Sequence, residues 1–518
     1  MSVARRIFWN TTAQFAGKII SALLSIVIIK LITNYLGSNS PDTGPYGEYT
    51  TAFEYLSFFA VVADMGLYTV GVREMSKDMK KIPMIIGNIM AFRTIVAVLM
   101  IGIAAAIAFI IPQYEGTHIP IAILIAGVSA ILNLLASTVC SVQQVYLRME
   151  YSAIATIMEK VVNIGYLVLV IWVLYPGNPS GGFYQLAWAG VAGDAAMFGL
   201  NYYYSRKLSE FHYRIDKIFW KEVLLAALPY GIALILNTIY FRIGSVLLSL
   251  MRTKAEVGIY GLPLRILDNI GVLPAYLMNA VLPSLTRSIA RKDGSHQRIV
   301  QYAFDFLVMG SLPIVAGTIA LATPLVLLMS EPQYISNLSQ GFVGSDIVLS
   351  ILIVATMFSF VNMLFGYIIV ADNKQNKLLA RNAVGALITI VLDLIAIPIF
   401  GVRGAAFNNV VAEFYVACAS YFIAKKYVKF KISFKNTFKT IFAAVVMGTA
   451  VYLLRDPTYN LFHLHNLNIL LLIPLGGLIY IGVLFMTKAI TPEIIDMIKK
   501  PHKPTAVELA ATETIPHD

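Results

Sequence analysis

The sequence has little charge and almost no cysteine, and both shortages restrict what the protein can be. Only 13% of the 518 residues are charged, while 58% are hydrophobic, which excludes an ordinary soluble domain. The two cysteines, Cys140 and Cys418, lie far apart in separate apolar runs. Two such thiols indicate neither a disulfide framework nor a metal site. We therefore expect no metal and no cofactor.

Acidic residues are also scarcer than basic ones, 28 against 39, but the excess of positive charge does not indicate a nucleic-acid partner. Most Lys and Arg residues fall in alternate loops between apolar runs, as the positive-inside rule describes for cytoplasmic loops. The same bias predicts contacts with anionic membrane lipids. The motif Gly-x4-Gly-Lys-Ser/Thr does not occur, so the sequence contains no phosphate-loop ATPase.

Apolar runs of roughly 18 to 30 residues, each long enough to cross a membrane as a helix, occur fourteen times. We predict an all-α integral membrane protein of about 14 transmembrane helices, with two pseudo-symmetric six-helix lobes plus two extra helices. The alternating basic loops place it in the cell (plasma or inner) membrane with both termini cytoplasmic. The predicted parts are an N-terminal lobe (1–210), a C-terminal lobe (211–428), the two extra helices (429–488) and a cytoplasmic tail (489–518).

Two arginines inside the predicted spans are candidates for substrate binding. Arg242 and Arg265 lie at similar depth on consecutive antiparallel helices, each roughly 15 Å from the polar tip between them. Guanidinium groups inside a membrane must face protein or water, and arginine can bind phosphate with two hydrogen bonds. Six spans per lobe make the lobes parallel repeats, a layout in which substrate binds between lobes. This hairpin is therefore predicted to form half of a cationic cavity for an anionic, lipid-linked substrate.

Two lysines are further candidates for substrate binding. Lys18 belongs to a polar stripe on the first span, so one face of that helix is predicted to be wet. Lys30 lies outside this stripe. It could extend to the outer surface, and it could also pair with Glu54 across the first hairpin.

Acidic side chains inside the spans are candidates for ion coupling or for cavity walls. Asp268 follows Arg265 by three residues and could instead neutralise it. Asp64 could pair with Arg73, and Arg93 is expected to extend to the cytoplasmic surface rather than form a site. The candidate acids are Glu54, Asp64, Asp268 and Asp393, with Asp194 and Glu413 as further candidate carriers of H⁺ or Na⁺.

Short elements occur in a fixed order along both predicted lobes. They include Tyr35-Leu36-Gly37, Tyr46-Gly47, Asp64-Met65-Gly66-Leu67, Val257-Gly258-Ile259-Tyr260 and Ile397-Pro398-Ile399-Phe400-Gly401. Together they resemble the polysaccharide biosynthesis/oligosaccharide flippase family. That family is related to O-antigen and lipid II flippases in the multidrug/oligosaccharidyl-lipid/polysaccharide exporter superfamily.

The resemblance implies a transporter that works by alternating access and is not an enzyme. Its expected function is to move a polyprenyl-pyrophosphate-linked oligosaccharide from the cytoplasmic to the outer leaflet for cell-surface polysaccharide biosynthesis. Expected partners are this lipid-linked oligosaccharide, membrane lipids, H⁺ or Na⁺, and other polysaccharide assembly proteins. A lipid II flippase and a drug/cation antiporter of the same superfamily remain alternatives. A membrane enzyme is disfavoured because the outer loops are short.

Overall fold

The computed structural model describes residues 3–38, 42–291, 294–372, 374, 376–461 and 468–489. Within these ranges the chain forms seventeen α-helices and no β-strand, which confirms the predicted all-α fold. Of the predicted cytoplasmic tail, only Ala489 falls in the described ranges.

The N-terminal half contains seven of these helices. The second and third form one candidate span that breaks at Met65 and Gly66, both of which have positive φ angles (45° and 70°). Glycine adopts this left-handed conformation without steric cost, so Gly66 permits the break. The seven helices are α1 (Val3–Gly37), α2 (Gly44–Asp64), α3 (Leu67–Lys77), α4 (Ile82–Ile110), α5 (Ile119–Val145), α6 (Glu150–Leu169) and α7 (Pro179–Leu208).

The C-terminal half begins after the non-helical residues 209–216, where the predicted lobe boundary falls. Its helices are α8 (Lys217–Met251), α9 (Lys254–Ile270), α10 (Leu273–Arg291), α11 (His296–Ala320), α12 (Ala322–Met329), α13 (Ser345–Ala371), α14 (Asn376–Phe400) and α15 (Val402–Tyr427). Two further helices follow, α16 (Lys435–Leu461) and α17 (Ile469–Met486). The division into lobes and extra helices stays a prediction.

Eleven described helical segments are long and apolar enough to cross a membrane. A twelfth span results if the two parts of a helical pair bent by 46° within residues 254–291 are counted together. The remaining two predicted spans correspond to α7 and α15, which have 30 and 26 residues but are less apolar. In α15 the reason is visible, because Asn408, Asn409 and Glu413 are all buried there and face protein rather than lipid.

Helix packing brings the two halves together along α2. Within the N-terminal half α5 packs on α2 and α7, and within the C-terminal half α13 packs on α15 and α11. Between the halves, α2 packs on both α8 and α9. The last two helices pack on each other and on α11, and α16 carries the exposed side chains of Phe438 and Phe442. Bare aromatic side chains on such an edge helix suit contact with lipid.

Candidate functional site

The two candidate arginines meet two acids in one group, which we call the central cluster (Glu54, Arg242, Arg265 and Asp268). Nη1 of Arg242 donates to the two carboxylate oxygens of Glu54 at 2.9 and 2.8 Å. Its Nη2 donates to both oxygens of Asp268 at 3.1 Å. Nη2 of Arg265 lies 3.3 Å from Glu54 Oε1, while its Nη1 lies 4.0 Å from Asp268 Oδ2. One carboxylate therefore serves both arginines.

The central cluster is electrically balanced and joins the two halves of the protein. Glu54 comes from α2 and is only 2% exposed, whereas its arginine partners come from α8 and α9. Two half-buried guanidinium groups favour nearby anions, and Glu54 and Asp268 supply two. Asp268 lies closer to Arg242 than to Arg265. It is therefore a counter-ion of both arginines and not of Arg265 only.

The predicted pairing of Lys30 with Glu54 is wrong. Nζ of Lys30 instead donates to the carbonyl oxygens of Leu327 and Ser330, at 3.2 and 2.6 Å. It also lies 3.7 Å from a carboxylate oxygen of Glu331. Helix α1 packs on α12, and this contact turns Lys30 toward the end of α12 and away from α2. Lys30 does not line either of the cavities beside the central cluster.

A cavity of about 620 Å³ lies on the N-terminal side of the central cluster. Arg265 and Asp268 border it, and so does Lys18, as the polar stripe on α1 predicts. Asp194 also lines this cavity, where it accepts hydrogen bonds from Ser129 and, at 3.4 Å, from Asn133. The wall therefore combines basic groups with hydroxyl, amide and carboxylate groups.

A second cavity, of about 570 Å³, lies in the C-terminal half. Arg242 and Asp268 border it, so the central cluster stands between the two cavities. Two deeply buried ionisable residues, Arg381 and Glu413, also line it. Sequence analysis missed Arg381. It lies in the second turn of α14, close to a basic loop, so its sequence position is typical of a cation that faces water at the end of a helix.

Two further candidate acids lie apart from both cavities. Asp64 pairs with Arg93, which is fully buried and also donates to Thr138 at 2.6 Å. The expectations that Arg93 reaches the surface and that Asp64 pairs with Arg73 are therefore wrong, because the α2–α3 break brings Asp64 against α4. Asp393 is buried as well and accepts a hydrogen bond from Asn408 at 2.9 Å.

The turn between α8 and α9 (residues 252–254) lies at one end of the protein, which we call the tip side. There the first turns of α2 and α9 pack tightly against each other. A Cβ atom at Gly47 would lie 1.8 Å from the carbonyl oxygen of Lys254, so only glycine fits there. Nζ of Lys254 binds Glu48 Oε1 at 2.6 Å, and Thr43 Oγ1 donates to the carbonyl oxygen of Ala255 at 2.9 Å. These contacts close the gap between the halves at that end.

Comparisons with known proteins agree with this architecture. The profile of the family "Polysaccharide biosynthesis protein" matches residues 3–289, and that of the MatE family matches residues 229–395. The sequence has no match among proteins of curated function.

Several solved structures share the fold. The lipid II flippase MurJ, in an inward closed conformation, is 15% identical with a TM-score of 0.73, and the match covers 92% of this chain and 98% of that one. An inward-facing multidrug resistance MATE family transporter of the MOP superfamily is 13% identical (TM-score 0.62; 79% and 97% covered). A MOP superfamily transporter from Pyrococcus furiosus is also 13% identical (TM-score 0.56; 80% and 95% covered).

These matches are to transporters and flippases, in line with the prediction that the chain is not an enzyme. The structural likenesses, at such low identity, establish the fold alone. The profile match is of a different kind, because it extends over more than half of the sequence. The chain therefore belongs to the polysaccharide biosynthesis protein family, and its fold is that of multi-pass membrane flippases and transporters.

Proposed function

We propose that this protein is a flippase that moves a polyprenyl-pyrophosphate-linked oligosaccharide from the cytoplasmic to the outer leaflet by alternating access. The product would serve cell-surface polysaccharide biosynthesis. The observation that carries the proposal is the position of Arg242 and Arg265, which face one carboxylate, that of Glu54, between two cavities. A pyrophosphate offers the same kind of acceptor oxygens as a carboxylate, and arginine binds both with paired hydrogen bonds.

Binding at the central cluster would also explain how substrate triggers movement. The pyrophosphate must take Arg242 and Arg265 away from Glu54, because each guanidinium has a limited number of N–H donors. Glu54 belongs to α2, and both arginines belong to the C-terminal half. Replacing Glu54 by substrate therefore removes an ionic contact between the halves, and the halves become freer to move apart.

The displaced carboxylates provide a role for a coupling ion. When a pyrophosphate occupies the central cluster, Glu54 and Asp268 lie close to negative charge without their former partners. Protonation or Na⁺ binding would relieve that repulsion. H⁺ and Na⁺ both fit this role, and Asp194 at the wall of the N-terminal cavity is a further acid that either ion could use.

Lys18 and Lys30 have different places in this proposal. Lys18 is exposed and lines the N-terminal cavity, where it could contact the phosphates or the glycan. Lys30 is held by the end of α12, so it would reach substrate only if that contact opened during transport.

Two alternatives from the same superfamily each have an observation in their favour. A lipid II flippase is favoured by the likeness to MurJ over nearly its whole length. A drug/cation antiporter is favoured by the MatE match and by acids such as Asp194 in the N-terminal cavity. Two arginines between the cavities suit an anionic substrate better than a cationic one, so we rank the antiporter below both flippases.

Reconstitution of the full chain in liposomes tests the proposal against both alternatives. Three fluorescent substrates would be compared: a polyprenyl-pyrophosphate-linked oligosaccharide, lipid II and a lipophilic cation. We expect the first to change leaflets, as measured by quenching from outside, with loss of activity in Arg242→Ala. Arg455→Ala is the matched control, because Arg455 lies on α16 and pairs with Asp456. Movement of lipid II or the cation in place of the oligosaccharide would overturn the proposal.

A further inference from the structure

We propose that the C-terminal cavity holds a sugar ring of the glycan, with Glu413 and Arg381 hydrogen-bonding its hydroxyl groups. This inference rests on the proposed function, since it assigns one part of the lipid-linked oligosaccharide to one half of the protein. It concerns the 570 Å³ cavity that begins at Arg242 and extends to α14 and α15.

Glu413 has an acceptor that lacks a partner. Its side chain is 1% exposed, and its Oε1 accepts a hydrogen bond from the hydroxyl of Tyr240 at 2.7 Å. Its Oε2 is buried and has no hydrogen-bond partner among the described residues. A buried polar atom without a partner is costly, so a group that donates a hydrogen bond to Oε2 would bind favourably.

Arg381 has the complementary property. It is 9% exposed, and its partners in the described part of the chain are neutral: Asn362, Asn382 and Ser420, at 2.6–3.0 Å. These contacts use four of the five guanidinium N–H donors, which leaves one on Nη2. A buried cation with neutral partners favours a ligand that accepts a hydrogen bond.

A sugar hydroxyl is both a donor and an acceptor, so neighbouring hydroxyls on one ring can satisfy both residues. A phosphate would suit Arg381 but would be repelled by Glu413, and a cation would suit Glu413 but would be repelled by Arg381. A neutral polyhydroxyl ring meets neither repulsion. The cavity also contains the amides of Asn237 and Asn409 and the ring of Tyr367, groups that hydrogen-bond or stack on sugars.

The lining of the cavity indicates which sugar is meant. Arg242, Tyr240 and Glu413 all border the same 570 Å³ space. A pyrophosphate on Arg242 would therefore have its first sugar in the cavity that Tyr240 and Glu413 line. We assign the cavity to the ring attached directly to the pyrophosphate.

Two kinds of probe separate this inference from the proposed function. One is farnesyl pyrophosphate without sugar, and the other is farnesyl pyrophosphate carrying one hexose (glucose, galactose or N-acetylglucosamine). Their dissociation constants would be measured on the purified full chain in detergent. We expect at least one hexose probe to bind about tenfold more tightly than the bare probe, the effect of a hydrogen bond to a charged group.

Glu413→Gln should remove most of that gain while leaving the affinity for bare farnesyl pyrophosphate within about twofold. Asp393→Asn is the matched control, since Asp393 is equally buried in the same half and, among the described residues, accepts a hydrogen bond from Asn408, but does not line the cavity. It should preserve the gain. If Glu413→Gln misfolds and binds neither probe, Arg381→Gln is measured instead. It should likewise lose most of the hexose gain and keep its affinity for bare farnesyl pyrophosphate within about twofold.

The outcomes are distinct. If no hexose probe binds more tightly than the bare one, or if the gain survives both Glu413→Gln and Arg381→Gln, the sugar assignment is overturned, whereas Arg242-dependent binding of the bare probe still supports the flippase. Loss of both probes in both variants, with Asp393→Asn intact, also overturns it. If the bare probe does not bind, or binds equally to Arg242→Ala, the proposed function fails and the sugar assignment fails with it.

Discussion

Glu54 on α2 accepts two hydrogen bonds, 2.9 and 2.8 Å long, from Arg242, which lies 188 residues later on α8. The pair crosses between the N-terminal and C-terminal halves, from the middle of α2 to the last third of α8. Arg265 contacts the same carboxylate from α9. A single side chain of one half therefore holds two cations of the other half in place.

Glu54→Gln should loosen the contact between the halves. The change leaves two half-buried arginines, 26% and 30% exposed, with only Asp268 as a counter-ion. The cost lies between the ~1 kcal/mol of a surface pair and the ~3 kcal/mol of a buried one. We expect a clearly lower melting temperature of the purified protein in detergent. Glu74→Gln is the control, because Glu74 pairs with Arg73 and Lys77 in a more exposed position. Equal melting temperatures for the two variants would contradict the interpretation.

Arg242→Ala should abolish transport while the protein still inserts, and Arg242→Lys should restore it only in part. Lysine keeps the charge but cannot form the paired hydrogen bonds of arginine. The measurement is flipping per reconstituted molecule in liposomes. Full activity of Arg242→Lys would show that charge alone suffices there.

Arg265→Ala should also lose transport if Arg265 binds phosphate. The double variant Arg265→Ala/Asp268→Ala separates binding from simple neutralisation of Asp268. Normal flipping by the double variant, together with loss in the single one, would remove Arg265 from the substrate site. Because Asp268 also contacts Arg242, Asp268→Ala alone is the necessary third measurement.

Gly47→Ala should prevent full closure of the tip side. Its Cβ atom would lie 1.8 Å from the carbonyl oxygen of Lys254, so α2 and α9 must separate. The readout is labelling of Thr43→Cys, a position that is 3% exposed, by a membrane-impermeant maleimide in a background without other cysteines. We expect faster labelling with Gly47→Ala but not with the control Gly102→Ala, where a Cβ atom meets nothing within 4 Å. Unchanged labelling would show that the contact tolerates the methyl group.

Asp64→Asn should reduce stability more than it reduces transport. Asp64 is a charged partner of Arg93, which is fully buried, so the change leaves that cation uncompensated at a cost of about 3 kcal/mol. Melting temperature and flipping per folded molecule would be measured together. A variant of normal stability that cannot transport would instead favour Asp64 as an ion-coupling residue.

The sequence was sufficient to predict the helical membrane fold, because the length of an apolar run is set by membrane thickness. It also identified Arg242 and Arg265 as neighbours at one depth, since both lie at similar distances from one turn. These are local properties of the chain. They require no knowledge of how distant helices pack.

The partners of the charged residues could not be predicted in the same way. Lys30 and Glu54 lie at matching positions of one hairpin, but the packing of α1 on α12 and of α2 on α8 gives each a different partner. Arg93 has the sequence context of a snorkelling arginine, yet the break after α2 brings Asp64 to it. In each case tertiary packing decides which of several plausible partners is reached.

The equal numbers of positive and negative side chains in the central cluster have an electrical consequence. Without substrate, these four residues would contribute no net charge movement when the protein changes orientation. If no coupling ion moves with the substrate, the net charge moved would be that of the pyrophosphate, so each cycle would carry negative charge out of the cell. Across a membrane that is negative inside, this releases roughly 2.3 kcal/mol per elementary charge at 100 mV. The resting voltage of the cell would then drive export in one direction, even with equal substrate in both leaflets.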